Sequence, residues 1–215
     1  VSRGIQRGVS LNEVVAEAGE PWDDLVAWSV GQGMPGLENL SLIPGTVGAA
    51  VAGNIGAYGV EVKDTLLWAE ALDARTGAAR RFAAGECGLA YRHSFFKTSE
   101  GRHYILTRAA FALGGPRALN THYKDVRDYF AARGIAAPTL AEMREAVMAI
   151  RRRKLPEIEQ VGTAGSFFKN PVIARAEYEL LAERYPGLPG HKEGHDLMKI
   201  PLGWILDRVC GLRGA

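Results

Sequence analysis

The chain has 215 residues, enough for one large domain or two modest ones with a buried core. Apolar residues make up 47% and charged residues 23%, ordinary values for a soluble globular protein, and the net charge of +2 points to no class of partner. No run approaches the ~20 apolar residues that span a bilayer, residues 1–10 do not read as a signal peptide, and Cys87 and Cys210 lack the spacing of a disulfide framework or zinc site, which points to free thiols in a reducing cytoplasm.

In chain order, residues 10–32 read as helical, with Ser10 as N-cap and Glu13 completing a capping box. Pro21 and Trp22 follow Gly19, so a turn and a second helix start there. Asp23 and Asp24 suit its first turn, and Gly31 or Gly33 ends it. Residues 36–59 (GLENLSLIPGTVGAAVAGNIGAYG) mix glycines with small apolar residues and carry neither a helical nor a strand period. Strand-like runs at 65–74 and 79–83 flank the turn Arg75-Thr76-Gly77, and a third at 104–113 ends at Gly114-Gly115-Pro116. Residues 121–132 read as partly helical. Thr139 and Glu142 form a capping box for an amphipathic helix over 141–153, with Met143, Ala146, Val147 and Ile150 on its apolar face, and Leu155-Pro156 stops it. Residues 174–185 and 202–209 read as further helices. The pattern predicts an α+β protein with a division near Gly114–Pro116.

Three segments could carry chemistry. In Pro44-Gly45-Thr46-Val47-Gly48, glycines let backbone N–H groups approach a phosphate, and the turn could feed a helix N-terminus. The segment is neither a dinucleotide fingerprint nor a Walker loop, and a tightly packed structural loop accounts for it equally well. In Tyr91-Arg92-His93-Ser94-Phe95-Phe96-Lys97, a cation among aromatics could bind a carboxylate or steady an enolate. By itself it reads as a surface strand with a paired arginine. In residues 162–171 (GTAGSFFKNP), Ser166 could be a positioned acid and Lys169 or Asn170 could bind an oxyanion, although an isolated serine is more often a turn or cap. No Gly-x-Ser-x-Gly elbow is present. His122, His191 and His195 lack metal-ligand spacing, so no metal site is expected. The run Arg151-Arg152-Arg153-Lys154 reads as a solvated helix end and not as a nucleic-acid patch.

GLENLSLIPGTVGAA…NIGAYGVE, YRHSFFK, RRRKLP and GTAGSFFKNP occur in that order. Together they resemble the UDP-N-acetylenolpyruvoylglucosamine reductase (UDP-N-acetylmuramate dehydrogenase) family over almost the whole chain. The resemblance implies an FAD-binding domain of the vanillyl-alcohol-oxidase type over residues 1–116, followed by a truncated α+β substrate domain over 117–215. It implies a cytoplasmic monomer that uses FAD, with NADPH as hydride donor, to reduce UDP-N-acetylglucosamine enolpyruvate to UDP-N-acetylmuramate for peptidoglycan, without a nucleic-acid or membrane partner. By resemblance, Arg92 stabilises the enol intermediate and Ser166 protonates it. Tyr123, Lys154, Asn170 and Arg151 are the substrate contacts, Arg151 alternatively meeting the flavin. Pro44, Gly45, Thr46, Gly48, Ala49, Asn54 and Gly56 line the FAD.

The sequence departs from the family at Ala50-Val51-Ala52-Gly53, where Pro-Ile-Gln is more usual. The family's second glycine-rich loop and its Glu-Pro-Glu motif, which carries a third catalytic residue, are not found. The chain is therefore expected to be incomplete at both ends. A non-catalytic, nucleotide-sugar-binding remnant is the alternative.

Overall fold

The computed structural model describes residues 2–155 and 168–212, in two compact units, Val1–Glu157 and Ile158–Ala215. In the first unit β1 (Ile5–Arg7) and β2 (Glu13–Glu17) precede helix α1 (Trp22–Gly31). A 3-10 turn over Glu38–Leu40, helix α2 (Val47–Gly53) and a short hairpin of β3 (Gly56–Ala57) and β4 (Val60–Glu61) follow. Then come β5 (Leu66–Asp73), β6 (Ala79–Ala83), β7 (Tyr104–Ala112), α3 (Lys124–Ala131) and α4 (Leu140–Lys154). The long strands form one antiparallel sheet in the order β1-β2-β7-β5-β6.

One helix read from sequence is absent. Residues 13–17 are strand β2, not the start of a helix. Val14, Val15 and Ala16 are all buried, and their backbone pairs with β1 on one side and β7 on the other. β-branched residues fit a pleat covered on both faces. The Ser10/Glu13 signal is real but serves a turn: the Glu13 carboxylate accepts the Val9 and Ser10 amides and closes the β1–β2 connection. The second helix begins at Trp22 and ends at Gly31, as read from the sequence. The Arg75–Gly77 hairpin, β7 and α4 also lie where expected, and Thr139 and Glu142 form the capping box. The hairpin of β3 and β4 was not foreseen.

The core sits between the sheet and helices α1 and α2. Trp22, Leu25 and Val26 of α1 and Val47, Ala50 and Val51 of α2 pack with Ala69, Ala71, Ala109 and Phe111 of β5 and β7. Trp22 meets Phe111 edge-on at 5.9 Å, and its indole N–H donates to the Leu40 carbonyl at 3.0 Å. Burying each large side chain contributes roughly 1.5–3 kcal/mol. On the more exposed sheet face, Glu70 bridges Arg81 and Arg108, and Arg81 stacks over Trp68.

A second cluster joins Val126 and Phe130 of α3 to Met143, Ala146, Val147 and Ile150 of α4. Asp23 of α1 holds Arg144 of α4 in a two-bonded ion pair, both bonds 2.8 Å. Burial pushes the Asp23 carboxyl up, but Arg144 and the Leu42 amide outweigh burial and hold it below its ordinary value. These contacts count α3 and α4 with the first compact unit, whereas the sequence divided its domains at 116/117.

The second unit carries a three-stranded antiparallel sheet, in which β10 (Leu197–Lys199) lies between β8 (Val172–Ala174) and β9 (His191–Lys192). Helix α5 (Arg175–Arg184) follows β8 directly. The 202–209 segment starts as a helical turn, α6 (Leu202–Trp204), and widens into a π turn over Ile205–Val209. Among the described residues, no helix is long and apolar enough to cross a membrane.

Candidate functional site

The glycine-rich segment builds a strip of small residues. Thr46 caps α2, its hydroxyl facing the Ala49 amide at 3.5 Å. Gly45 has φ +112, a backbone conformation that strains other residues. Its carbonyl accepts the Trp22 amide. The Val47 and Gly48 amides donate to the Glu20 and Ala18 carbonyls, both at 2.9 Å. A Cβ on Gly48 would lie 2.9 Å from the Ala18 Cβ, so close docking on the β2–α1 turn requires glycine. This corrects one reading from sequence: two first-turn amides of α2 are already bonded, so this short helix is no open anion cradle. What remains is a surface strip of Pro44, Gly45 and Ala49, exposed, with Thr46 and Gly48 partly so.

Asn54 caps the far end of α2 in the left-handed region, φ +41. Its side chain is buried and fully engaged. Nδ2 donates to Glu61 and to the Ala90 carbonyl, and Oδ1 accepts the Lys63 amide. Its backbone N–H is taken as well, by the Val51 carbonyl at 3.1 Å. Gly56, on β3, would clash through any Cβ with the Glu61 side chain at 2.7 Å.

Arg92 is anchored to that hairpin. It sits at φ +53 in a tight turn closed by paired bonds between Ala90 and His93. Its guanidinium donates to the Gly56 carbonyl at 3.3 Å, and its own carbonyl accepts Lys97 Nζ. The left-handed region is costly for a side chain with a Cβ, and such strain persists only where the surroundings enforce it. The surroundings here are firm: Ser94 is buried and donates to the Ala52 carbonyl at 2.7 Å, and Phe95 and Phe96 pack on Phe82.

The tip of the same hairpin organises a second group. Tyr58, φ +48, and Gly59, φ +81, form the turn between β3 and β4. The Tyr58 ring meets Tyr123 edge-on at 5.3 Å, and the positive charge of Arg151 acts on its phenol. Burial raises the Tyr58 phenol above its ordinary value against the pull of Arg151. Lys154, one turn beyond Arg151 on α4, donates to Asp125 of α3 at 2.6 Å. Arg151 Nε is buried with no hydrogen-bond partner among the described residues. Thus Tyr123 and Arg151 meet around Tyr58, with Lys154 close by in the α3–α4 helix pair, while Arg92 is tied to the hairpin's base. Sequence reasoning passed over Tyr58 and Asp125. The Tyr-Gly pair closing the glycine-rich segment was the available signal for Tyr58, because such turns need positive φ at both residues.

Two further residues were predicted from the sequence. Ser166 lies outside the described residues. Asn170 belongs to the second unit, where its Oδ1 accepts the Leu202 amide at 2.9 Å and caps α6. Among the described residues no cluster of His, Cys, Asp and Glu could hold a metal. Both cysteines are free; Cys87 is buried, which pushes its thiol up to about 11.

A family model described as an FAD binding domain matches residues 2–83. The UDP-N-acetylenolpyruvoylglucosamine reductase of Ralstonia nicotianae is 45% identical over 214 residues, covering 100% of this chain and 62% of the relative. Its namesake in Azoarcus sp. is 48% identical over 196 residues, 91% of this chain and 56% of the relative. The one in Pseudomonas aeruginosa is 45% identical over 195 residues, 91% of this chain and 57% of the relative. The chain thus spans less than two thirds of the length of these relatives. A crystal structure of UDP-N-acetylenolpyruvylglucosamine reductase from Thermus caldophilus shares the fold, with a TM-score of 0.53 and 24% identity over 91% of this chain and 66% of that one.

Proposed function

We propose, from the premise that this chain belongs to the UDP-N-acetylenolpyruvoylglucosamine reductase family, that it supplies the flavin-side core and part of the substrate site of an NADPH-dependent reduction of UDP-N-acetylglucosamine enolpyruvate to UDP-N-acetylmuramate. The observation that carries this reading is Arg92. It is held in a strained backbone conformation and anchored on Gly56, the last residue of the glycine-rich strip assigned to the cofactor.

The residues present fit FAD. The strip Pro44, Gly45, Thr46, Gly48 and Ala49 bears no side chain larger than threonine or proline and is open at Pro44, Gly45 and Ala49. A flat ring system can lie against such a surface. The buried, unpaired Arg151 Nε is a donor suited to an anionic or carbonyl oxygen. When bound, FAD would supply the redox chemistry, the transfer of a hydride from NADPH to the β-carbon of the enolpyruvyl group.

The chain's own residues then manage charge and protons. Hydride addition leaves negative charge on the α-carbon and carboxylate of the substrate. The Arg92 guanidinium offers that charge a planar, bidentate partner. Ser166 delivers a proton from its hydroxyl to the α-carbon. A serine is a weak acid, but a carbanion-like carbon is a strong base, so position matters more than pKa. Tyr123 contacts the substrate, Lys154 serves its diphosphate or carboxylate groups, and Asn170 is assigned the same role as Lys154. Lys154 would exchange its exposed bond to Asp125 for a phosphate oxygen. A monomer working in the cytoplasm on cell-wall precursors, in support of cell shape and division, belongs to the same proposal.

A flavin spectrum tests this reading. The purified chain should take up FAD, bleach with NADPH and be reoxidised by UDP-N-acetylglucosamine enolpyruvate. Ser166→Ala should keep flavin reduction and lose ~10²–10⁴-fold in turnover. A protein that takes up no FAD, or a Ser166→Ala variant with normal turnover, overturns it.

A further inference from the structure

Two asparagines to which no chemical role is given lie behind the tyrosine pair. Asn39, in the Glu38–Leu40 turn, is 1% exposed. Its Nδ2 donates to the Tyr58 carbonyl and to the Asn120 carbonyl, each at 2.9 Å. Asn120 returns to the hairpin tip: its Nδ2 donates to the Gly59 carbonyl at 3.0 Å, and its Oδ1 accepts the His122 amide at 3.2 Å. These bonds close a circuit through the 3-10 turn, the β3–β4 tip and the segment that enters α3 at Tyr123.

The circuit is demanding. Tyr58 is in the left-handed region, which a tyrosine adopts only under constraint. Gly59 has φ +81, and a Cβ there would lie 3.1 Å from Asn120 Nδ2. The chemistry of Asn39 is specific too. An amide has two N–H donors, both spent here on carbonyl oxygens. Its Oδ1 is buried with no hydrogen-bond partner among the described residues, so the donors alone connect this side chain. An aspartate of the same shape would point oxygens at oxygens.

We propose that Asn39 and Asn120 are positioning residues, forming a polar latch that fixes the Tyr58–Tyr123 edge-to-face pair beside Arg151. Through that pair they set one wall of the nucleotide-sugar site. This second clause rests on the function proposed above; the first does not. Neither asparagine needs to touch substrate.

The test separates the two clauses. The chain is labelled with 3-fluorotyrosine, and the Tyr58 and Tyr123 fluorine resonances are assigned by Tyr58→Phe and Tyr123→Phe. In Asn39→Asp and Asn120→Asp both resonances should move, and that of Tyr123 should approach its position in Tyr58→Ala, where the neighbouring ring is gone. In the FAD-loaded protein the Kd for UDP-N-acetylglucosamine enolpyruvate should rise about ten- to a hundredfold, while the rate of flavin reduction by NADPH stays within about twofold. A merely structural role would slow flavin reduction as well. If the buried Asn39→Asp fails to fold, the half-exposed Asn120→Asp and Asn120→Ala carry the test. Unmoved tyrosine resonances overturn the latch. Moved resonances with an unchanged Kd overturn its part in the site. A wild-type chain that binds no nucleotide sugar sinks the functional reading and leaves the fluorine shifts to judge the latch.

Discussion

The two compact units are built on different scales. In the first, whole side chains from α1, α2, β5, β6 and β7 disappear from solvent, including Trp22, Phe82 and Phe111. In the second, the buried apolar residues among those described are Leu188, Met198 and Ile200, and α5 buries none of its residues. Polar ties do more of the holding there: the Tyr178 hydroxyl on the Leu188 carbonyl, Lys199 on Glu193, and Asn170 on the Leu202 amide. The candidate residues rest on correspondingly unequal supports. Arg92, Tyr123 and Arg151 stand on a packed scaffold, whereas Asn170 stands on a hydrogen-bonded one. Regions with few buried apolar contacts open at lower free energy, so hydrogen exchange should be slowest in β5 and β7 and faster throughout β8, β9 and β10.

The largest contrast needs no substitution. Burial holds the Cys87 thiol up at about 11, so near pH 7 a thiol reagent should label exposed Cys210 and spare Cys87 until the first unit opens. Rapid labelling of Cys87 would break the comparison. Phe111→Ala, which removes a fully buried ring, should cost about 3–5 kcal/mol in denaturant unfolding followed by tryptophan fluorescence. Ile200→Ala should instead speed exchange within the second unit and leave β5 and β7 protected; equal losses in both units would contradict the contrast.

Arg144→Ala should cost about 1.5–3 kcal/mol, the usual worth of hydrogen bonds to a charged group. The same pair carries a pH signature. Asp23 has a folded pKa below its ordinary 3.8, so the unfolded chain binds its proton first. Its stabilisation is therefore present above that value and lost as pH falls through it toward the lower folded pKa. Asp23→Asn should flatten that acid limb in pH-dependent melts. Thr139→Ala removes the α4 cap and should cost about 1 kcal/mol. Leu180→Ala, on the outer face of α5, should change stability by less than about 0.5 kcal/mol.

What could be read from the sequence followed from how local each signal is. The α4 cap, the Arg75–Gly77 turn and the apolar stripe of Met143, Ala146, Val147 and Ile150 are set by neighbours in the chain, and all three stand in the structure. Ser10 and Glu13 misled because one short-range hydrogen-bond pattern can close a hairpin or start a helix. The choice fell to β7, about a hundred residues away. The site divided in the same way. Arg92 could be named from its motif, but its anchoring to Gly56 depends on a turn that the sequence alone did not reveal. Tyr58 was hidden in a run of small residues, and the partner of Asn39 is 81 positions along the chain. The engagement of the Val47 and Gly48 amides by Glu20 and Ala18 could not be read either, because it is a docking of loops and not a pattern of residues.

The placement of β7 also bears on how the protein acquires its shape. β7 lies between β2 and β5 in the sheet, yet β2 leaves the chain's start and β7 arrives late. The hairpins β1–β2 and β5–β6 close locally and fast, but neither is joined to the other until residues 104–112 are available. Non-local pairings of this kind slow folding, because loop entropy is lost before contacts reward it. During synthesis, two half-sheets with unpaired edges must wait for one strand. A chain stalled before Tyr104 would hold the glycine-rich strip without the strand that sets it against the core.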